Sequence, residues 1–473
     1  MPIPINGLIA YILAMSIGNP DLKQKILAYD RAVPRYTSYP AAPLFQADFP
    51  ISTVTSWIDD LPQGSKLSLY VHIPFCPKLC HYCGCFTHIT SRYAPVEDYA
   101  HLIRREIASM GRRMQNRHIV THLHFGGGSP TMLHEQDFRL IMDTFHEFFA
   151  FDDDAEIAVE VDPRHMNASL AQCYAESGVN RISLGVQDFD DKVMETVNRV
   201  QPFDVVYSAV QNLRSAGITK FNLDFIYGLP YQTVRSLTRS MDYALLLKPD
   251  RFALYGYAHV PWKKKNMRLI PEDSLPGNAA RYDLFNTGAQ VLEEAGFRPI
   301  GIDHFVKNVD DMAEAQDAGT LGRNFQGYTN VAPDALIGFG VSAISQYPQG
   351  FAQNTTASHD YQEAVLHSDA PPIAKGYSYQ GQDLARKEII ERLMCDLHVN
   401  IRDVWTRHGH DLEHLEVCQT LLAPFVKDGL AILDQNGLLT VPREARQVVR
   451  IVASCFDEYL LPIDTEQRHS MAV

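Results

Sequence analysis

Tyr70-Val71-His72-Ile73-Pro74-Phe75-Cys76-Pro77-Lys78-Leu79-Cys80-His81-Tyr82-Cys83-Gly84-Cys85 decides the reading of this 473-residue chain. It starts at the C-terminal end of an apolar run, Leu67–His72, that reads as a β-strand. In parallel α/β folds, sites are built in the loops that follow strands in this way. Five more short runs of the same kind follow: Val120–Phe125, Glu156–Val161, Arg181–Val186, Phe221–Ile226 and Phe252–Tyr257. Gly, Pro or Asp bounds most of them, as expected of buried parallel strands. Amphipathic helices lie between. Glu135–Phe149 places Phe138, Ile141, Met142, Phe145, Phe148 and Phe149 on one face, and a second helix from about Glu97 to Met114 turns Leu102, Ile103, Ile107 and Met110 inward. Six βα units imply a parallel sheet with helices outside, either an incomplete barrel or an open doubly wound sheet. The pattern alone does not separate the two.

After about residue 380 the alternation stops. Leu384–Leu397 reads as a helix, and helical segments continue to Val426. Leu430–Leu433 and Leu438–Val441 flank Asp434-Gln435-Asn436-Gly437, whose Asn-Gly marks a hairpin, and a last helix starts near Arg443. This is a winged-helix-like order. On a chain of formal charge −14 it reads as a packing or lid domain, since a nucleic-acid reader needs a positive surface.

An apolar fraction of 46% and a charged fraction of 21% are those of a globular protein. No segment approaches the roughly 20 apolar residues that span a bilayer. The apolar run Leu8–Met15 lacks a basic flank and a cleavage site, so a secretory signal is not expected, and Met15 reads as the natural start. Of eight cysteines, four crowd between residues 76 and 85 and four are scattered singly, which suits a reducing cytoplasm and one metal site.

The spacing C-x3-C-x2-C lets Cys76, Cys80 and Cys83 hold three irons of a [4Fe–4S] cubane and leave the fourth open to a reactive ligand. The competing reading is zinc, with Cys85, His72, His81 or His88 recruited as a fourth ligand, but the second C-x2-C knuckle is missing. Other residues at strand ends point to the same place. Gly126-Gly127-Gly128-Ser129 follows the second strand, where glycine lets backbone approach a ligand. Glu160 ends the third strand amid apolar neighbours, and a carboxylate there needs a partner. Gln187 and Asp224 hold equivalent places on the fourth and fifth strands, and one shared pocket explains all of them.

With Tyr82 before its third cysteine, the motif resembles the signature of the radical S-adenosylmethionine (SAM) superfamily. From about residue 30 onward the chain also resembles the oxygen-independent coproporphyrinogen III oxidases of haem biosynthesis. The resemblance rests on Pro34-Arg35-Tyr36-Thr37-Ser38-Tyr39-Pro40, Cys83-Gly84-Cys85, Asn324-Phe325-Gln326-Gly327-Tyr328-Thr329 and Gly340-Val341-Ser342-Ala343-Ile344. One departure is Ser129, where that family usually has Thr; the hydroxyl is kept.

The resemblance implies an incomplete (β/α)6 TIM-like barrel with a mainly helical, winged-helix-like C-terminal domain. The divisions expected are an arm at 1–50 covering the active site, a barrel with its extension at 51–375, and the C-terminal domain at 376–473. It implies that Cys76, Cys80 and Cys83 ligate the cluster, and that Tyr70, Tyr82, Gly127, Glu160 and Ile344 contact the SAM bound there. A second SAM would fall to Gly128, Ser129, Gln187, Arg199, Asp224 and Ala258. Tyr70, Glu160, Gln326 and Ile344 would bear on catalysis. By the family mechanism a 5′-deoxyadenosyl radical takes a hydrogen from the β-carbon of a propionate of coproporphyrinogen III. Loss of carbon dioxide and one electron leaves a vinyl group, and two rounds give protoporphyrinogen IX. An electron donor such as flavodoxin or ferredoxin and a monomeric state are implied too.

Arg35, Lys78 and Arg323 are candidates for the substrate's propionates by charge and motif context, and Cys85 for a pocket or supporting role. The arm Pro34–Pro40 is expected across the pocket mouth, where a substrate radical needs water excluded. The alternatives are a haem chaperone that shares the cysteine motif, and a radical SAM enzyme that opens or methylates haem. The chaperones lack the Pro-Arg-Tyr-Thr arm and the Cys-Gly-Cys arrangement.

Overall fold

Six apolar runs become six parallel strands in the computed structural model of the chain, which describes residues 19–115 and 117–460. They are β1 (Lys66–Ile73), β2 (Ile119–Gly127), β3 (Ala150–Val161), β4 (Arg181–Gln187), β5 (Lys220–Tyr227) and β6 (Arg251–Gly256). Each pairs in parallel with the next, in chain order. A doubly wound sheet reverses its strand order at a switch point; this sheet does not, so its crossovers all wind one way. The sheet is curled, because residues from β1 (Ser68) through β6 (Tyr255) line one common cavity. It does not close: its edges are the short strand Gln46–Ala47 and the strand Phe297–Ile300. The incomplete barrel is thus the architecture.

Alternation along the strands separates two environments. In β5, Phe221, Leu223 and Phe225 are buried, while Asn222 and Asp224 are half-buried on the opposite, cavity face. Outside pack the helices α1 (Ala94–Met114), α2 (Glu135–Phe148), α3 (Ala168–Glu176), α4 (Phe203–Ser215) and α5 (Val234–Leu246). The faces read from the sequence are buried: Leu102, Ile103, Ile107 and Met110 on α1, and Phe138, Ile141, Met142 and Phe145 on α2. Phe148 is half-buried, and Phe149 lies beyond the helix as its C-cap.

The sheet extends further than six strands. Ala335–Phe339 lies parallel to β1 on its outer side, and antiparallel strands Ile344–Tyr347, Gly350–Asn354 and Ile373–Ser378 continue from it. At the other edge, His304–Lys307 pairs antiparallel with β6.

In the C-terminal region, helices Asp383–Asp396, Ile401–Arg407 and Glu416–Lys427 precede the hairpin Ile432–Leu433 and Leu438–Thr440. A third strand, His398–Asn400, pairs with Leu438–Thr440 and completes a small sheet of the winged-helix kind. One apolar core joins β1–β6 and their helices. Another joins Ile26, Val33, Tyr36 and Tyr39 near the start of the chain to residues between Ala385 and Phe456. Leu8–Met15 and the expected start at Met15 lie outside the described residues. Among those residues no helix is long and apolar enough to cross a membrane.

Candidate active site

The cysteine loop leaves β1 and is pinned from two sides. Asn266 Nδ2 reaches the carbonyls of Cys80, His81 and Cys83 at 3.2, 3.0 and 3.0 Å, so two amide hydrogens serve three acceptors. Lys264 Nζ donates to the Cys85 carbonyl at 2.9 Å. From the opposite side Asn198 Nδ2 donates to Leu79 O at 2.8 Å, and the His81 amide donates to Val197 O at 2.9 Å. These positions carry no signal in the sequence, because their donors serve backbone and not a motif. Replacing Asn266 by Ala is expected to leave the barrel folded and weaken cluster retention about 10- to 100-fold, as for other groups that hold metal ligands in place. Iron content after anaerobic reconstitution and desalting checks this; wild-type content would exclude the role.

One cavity is lined by Cys76, Cys80, Cys83 and Tyr82 from this loop, by Gly127, Gly128 and Ser129 where β2 ends, by Glu160 and Gln187 near the ends of β3 and β4, by Asp224 within β5, and by Arg199. Gly127 has φ +113°, and a Cβ there would stand 2.6 Å from the His72 ring. A Cβ on Gly128 would stand 2.7 Å from Phe75 O. The glycines are therefore required by the close passage of β1 and the β2 loop. Ser129 and Thr131 share a hydrogen bond of 2.6 Å.

Glu160 accepts from the Gly127 amide at 3.2 Å and contacts His124 Nε2 at 3.2 Å. Tyr70 lies behind it, its ring stacked on His124 and its hydroxyl 3.1 Å from His72 Nδ1. Asp224 accepts from Ser183 Oγ at 3.0 Å and Asn222 Nδ2 at 2.8 Å, yet burial, helped by the charge of Glu160, pushes its carboxyl up to about 6. Gln187 has φ +71° at an irregularity in the pairing of β4 with β5.

Arg199 is the charged centre of the wall. It is 7% exposed and donates to Cys80 Sγ at 3.7 Å, Asp162 Oδ2 at 3.3 Å and Gly185 O at 2.7 Å. Asp162 also takes two bonds from the Arg164 guanidinium, at 2.9 and 2.6 Å. Burial raises the Asp162 carboxyl, but Arg199 and Arg164 outweigh it and hold it well below the usual carboxylate range.

The thiols differ among themselves. A hydrogen bond with Cys85 leads in holding Cys83 down to about 6 against burial, while burial and the neighbouring Cys83 and Cys80 push Cys76 up to about 12. Among the described residues no three Cys, His, Asp or Glu side chains converge closely enough to hold a single metal ion. Tetrahedral zinc draws its ligands to within about 2.3 Å of one point, whereas a cubane spreads its thiolates over separate irons. The donor set fits the cluster better than the ion.

Ala258 and Ile344 are not among the residues that line this cavity. Ala258 follows the end of β6 by two residues, and Ile344 packs against the cluster of Phe45, Phe351 and Tyr377. Gln326 lines a second cavity of about 400 Å³, within the range of small-molecule sites. Cys85 lines both cavities and so marks where they meet. Arg35 and Thr37 of the arm line the second one, and Arg35 Nη2 donates to Gly256 O at 2.9 Å. Of the basic candidates, Arg323 joins Arg35 there, whereas Lys78 lines the cysteine cavity. Arg281, Arg446 and Arg450 complete the lining, and the sequence reading did not name them. Their signal is faint; the spacing of Arg446 and Arg450 by four residues, one helical turn, is the one hint.

Comparison with known proteins agrees with this geometry. The profile of the radical SAM superfamily matches residues 70–244. The chain is 43% identical over 444 residues to an oxygen-independent coproporphyrinogen III oxidase of Bradyrhizobium diazoefficiens, covering 94% of this chain and 98% of that one. It is 38% identical to one from Paracoccus denitrificans, covering 92% and 96%. The solved structure of the Escherichia coli coproporphyrinogen III oxidase, described as a radical SAM enzyme, superposes with a TM-score of 0.85 at 34% identity, over 91% of this chain and 100% of that one.

Proposed function

Because this chain belongs to the family of oxygen-independent coproporphyrinogen III oxidases, we propose that it converts two propionates of coproporphyrinogen III to vinyl groups in a SAM-dependent oxidation that yields protoporphyrinogen IX. The observation that carries the reading is the shared edge of two cavities at Cys85. One is lined by the three cluster thiols, the other by a wall of arginines.

Cys76, Cys80 and Cys83 would hold a [4Fe–4S] cluster. Bound there with SAM, it supplies a 5′-deoxyadenosyl radical. The chain's own residues do the rest. Glu160, fixed by the Gly127 amide and His124, offers a carboxylate at the mouth of β3 for a cationic or hydroxyl-bearing part of SAM. Gly127 and Gly128 let the loop after β2 pass close to His72 and Phe75, which sets the Gly127 amide on Glu160. Tyr70 backs His124 and His72, so its part in catalysis is to position the Glu160 wall. Gln326, with Nε2 buried and unbonded among the described residues, has a donor to spare for the substrate. Ile344 acts from the neighbouring apolar cluster.

A second SAM beside the first is part of the proposal. It is supported by Gly128, Ser129, Gln187, Arg199 and Asp224 sharing the cavity with Tyr82, Gly127 and Glu160 of the first set. So are an electron donor of the flavodoxin or ferredoxin kind, a monomeric state and a cytoplasmic location, the last supported by the scattered single cysteines. The division into an arm (1–50), a barrel (51–375) and a C-terminal domain (376–473) is supported by separate large apolar cores for the barrel and the C-terminal region, Ile26, Val33, Tyr36 and Tyr39 of the arm joining the latter and Phe49 the former.

The test is anaerobic incubation of the reconstituted protein with SAM, a reductant and coproporphyrinogen III. Protoporphyrin after oxidation, together with 5′-deoxyadenosine, is expected. 5′-Deoxyadenosine with intact propionates would point to a haem-modifying enzyme, and stoichiometric retention of haem with neither product would point to a chaperone.

A further inference from the structure

The second cavity is electrostatically unlike the rest of the chain. On a protein of formal charge −14, its lining carries Arg35, Arg281, Arg323, Arg446 and Arg450 against Asp303 alone, an excess of four positive charges. Guanidiniums crowded in this way repel one another and lose solvation unless anions join them. Burial pulls Arg446 and Arg450 down to about 10, the neighbouring Arg35 adding to the effect at Arg450. Asp303 is the one carboxylate in the lining, and Arg446 meets Glu293 outside it at 3.6 Å. Arg323 Nε and Nη1 are buried without a hydrogen-bond partner among the described residues, as are both amide atoms of Gln447, which lines the same cavity. Buried donors left unpaired are costly, and an anionic ligand in this cavity would give those of Arg323 a partner.

The five arginines come from three parts of the chain. Arg35 belongs to the arm, Arg281 and Arg323 to the barrel and its extension, and Arg446 and Arg450 to the C-terminal region. Arg450 ties two of these together, donating to Pro34 O at 3.3 Å and Val33 O at 2.7 Å.

We infer that this arginine set is a carboxylate clamp that selects a tetracarboxylic tetrapyrrole over a dicarboxylic one. The inference rests on the substrate reading above and deepens it. The substrate carries four carboxylates, equal to the excess positive charge of the cavity. Each round of reaction removes one as carbon dioxide, so the product with two carboxylates is held by half as many ion pairs and leaves. Arg323 and Arg446 discriminate by direct contact. Arg450 acts as a positioning residue through its hold on the arm.

The experiment is a fluorescence titration of the full-length, cluster-loaded protein with coproporphyrin III (four carboxylates) and deuteroporphyrin IX (two). Titrations are run at low and high ionic strength, on wild type, Arg323→Gln, Arg446→Gln and Arg446→Lys. Wild type is expected to bind the tetracarboxylate at least about tenfold more tightly, with the preference shrinking as salt rises. Each Gln variant is expected to lose about tenfold in affinity for the tetracarboxylate and little for the dicarboxylate, with Lys retaining part of it. Equal affinities of wild type for the two porphyrins, or Gln variants that bind like wild type, would overturn the clamp while leaving the substrate reading standing. If wild type binds neither porphyrin, the clamp falls, and the substrate reading is decided separately by the anaerobic turnover of coproporphyrinogen III. Should Arg323→Gln fail to fold, Arg281→Gln tests the same wall from α-helix Asn278–Glu294.

Discussion

Cys80→Ala is expected to lose the brown charge-transfer absorbance and both products, protoporphyrin and 5′-deoxyadenosine, together. Cys80 is the most enclosed of the three proposed ligands, 7% exposed, and its sulfur is the one that accepts from Arg199. Removing it leaves two thiolates for a cubane and also leaves a buried guanidinium donor facing a methyl group. Both effects act in the same direction. The fall in activity should exceed about 100-fold, the upper range for losing a group that merely supports a metal ligand. Iron analysis, visible absorbance and product formation should drop in step. Retention of a full cluster in Cys80→Ala would move the ligand role to Cys85, which lines the same cavity.

The second large effect is expected at the pair beneath that sulfur. Arg199 and Asp162 are each 9% exposed at the side chain and meet at 3.3 Å. Replacing one partner of a buried pair typically costs about 3–5 kcal/mol, because the other is left charged and unsolvated. Arg199→Gln should fall at the lower end, since Arg164 still holds Asp162. Adding Asp162→Asn to it should recover part of the loss, and urea denaturation of the four proteins measures the coupling.

The sign of the pH dependence follows from the direction of the shift. The Asp162 carboxyl titrates lower in the folded chain than in the unfolded one, where it titrates near ~3.9. Its contribution is therefore present in full above that unfolded value and is lost as pH falls through the lower, folded one. Asp162→Asn should flatten the acid limb of the stability curve below about pH 4. An unchanged acid limb would assign the shift to Arg164 contacts that persist on unfolding.

What could be read from the sequence was whatever is local. The cysteine loop declares itself because its ligands lie within eight residues, and Glu160 and Asp224 because each stands out against a short apolar strand. Ala335–Phe339 is harder to read: Pro333-Asp334 and Gly340 bound it as they do the other buried strands, but it is only five residues long and Gly338 interrupts its apolar run. Lys78 was grouped with Arg35 and Arg323 on charge, which carries no direction; the loop turns it toward the cysteines. The arginine wall is legible only in part: Arg35 stands in a motif and Arg323 beside one, whereas Arg281, Arg446 and Arg450 stand in none, and Arg450 is more than four hundred residues from the Arg35 it joins.

That separation has a consequence for biosynthesis. The apolar core containing Val33, Tyr36 and Tyr39 cannot form until residues up to Phe456 have left the ribosome. A nascent chain stopped near residue 380 already carries every βα unit and the cysteine loop, and the arm's contacts with Gly256 and Asp283, but Val33, Tyr36 and Tyr39 still lack most of the core they pack into. Closing a loop of that span is the slowest kind of contact to make. The two cavities are therefore completed at different times: the thiol-lined one is walled by residues between Cys76 and Asp224 and can form early, whereas the arginine-lined one gains Arg446 and Arg450 only as synthesis nears its end.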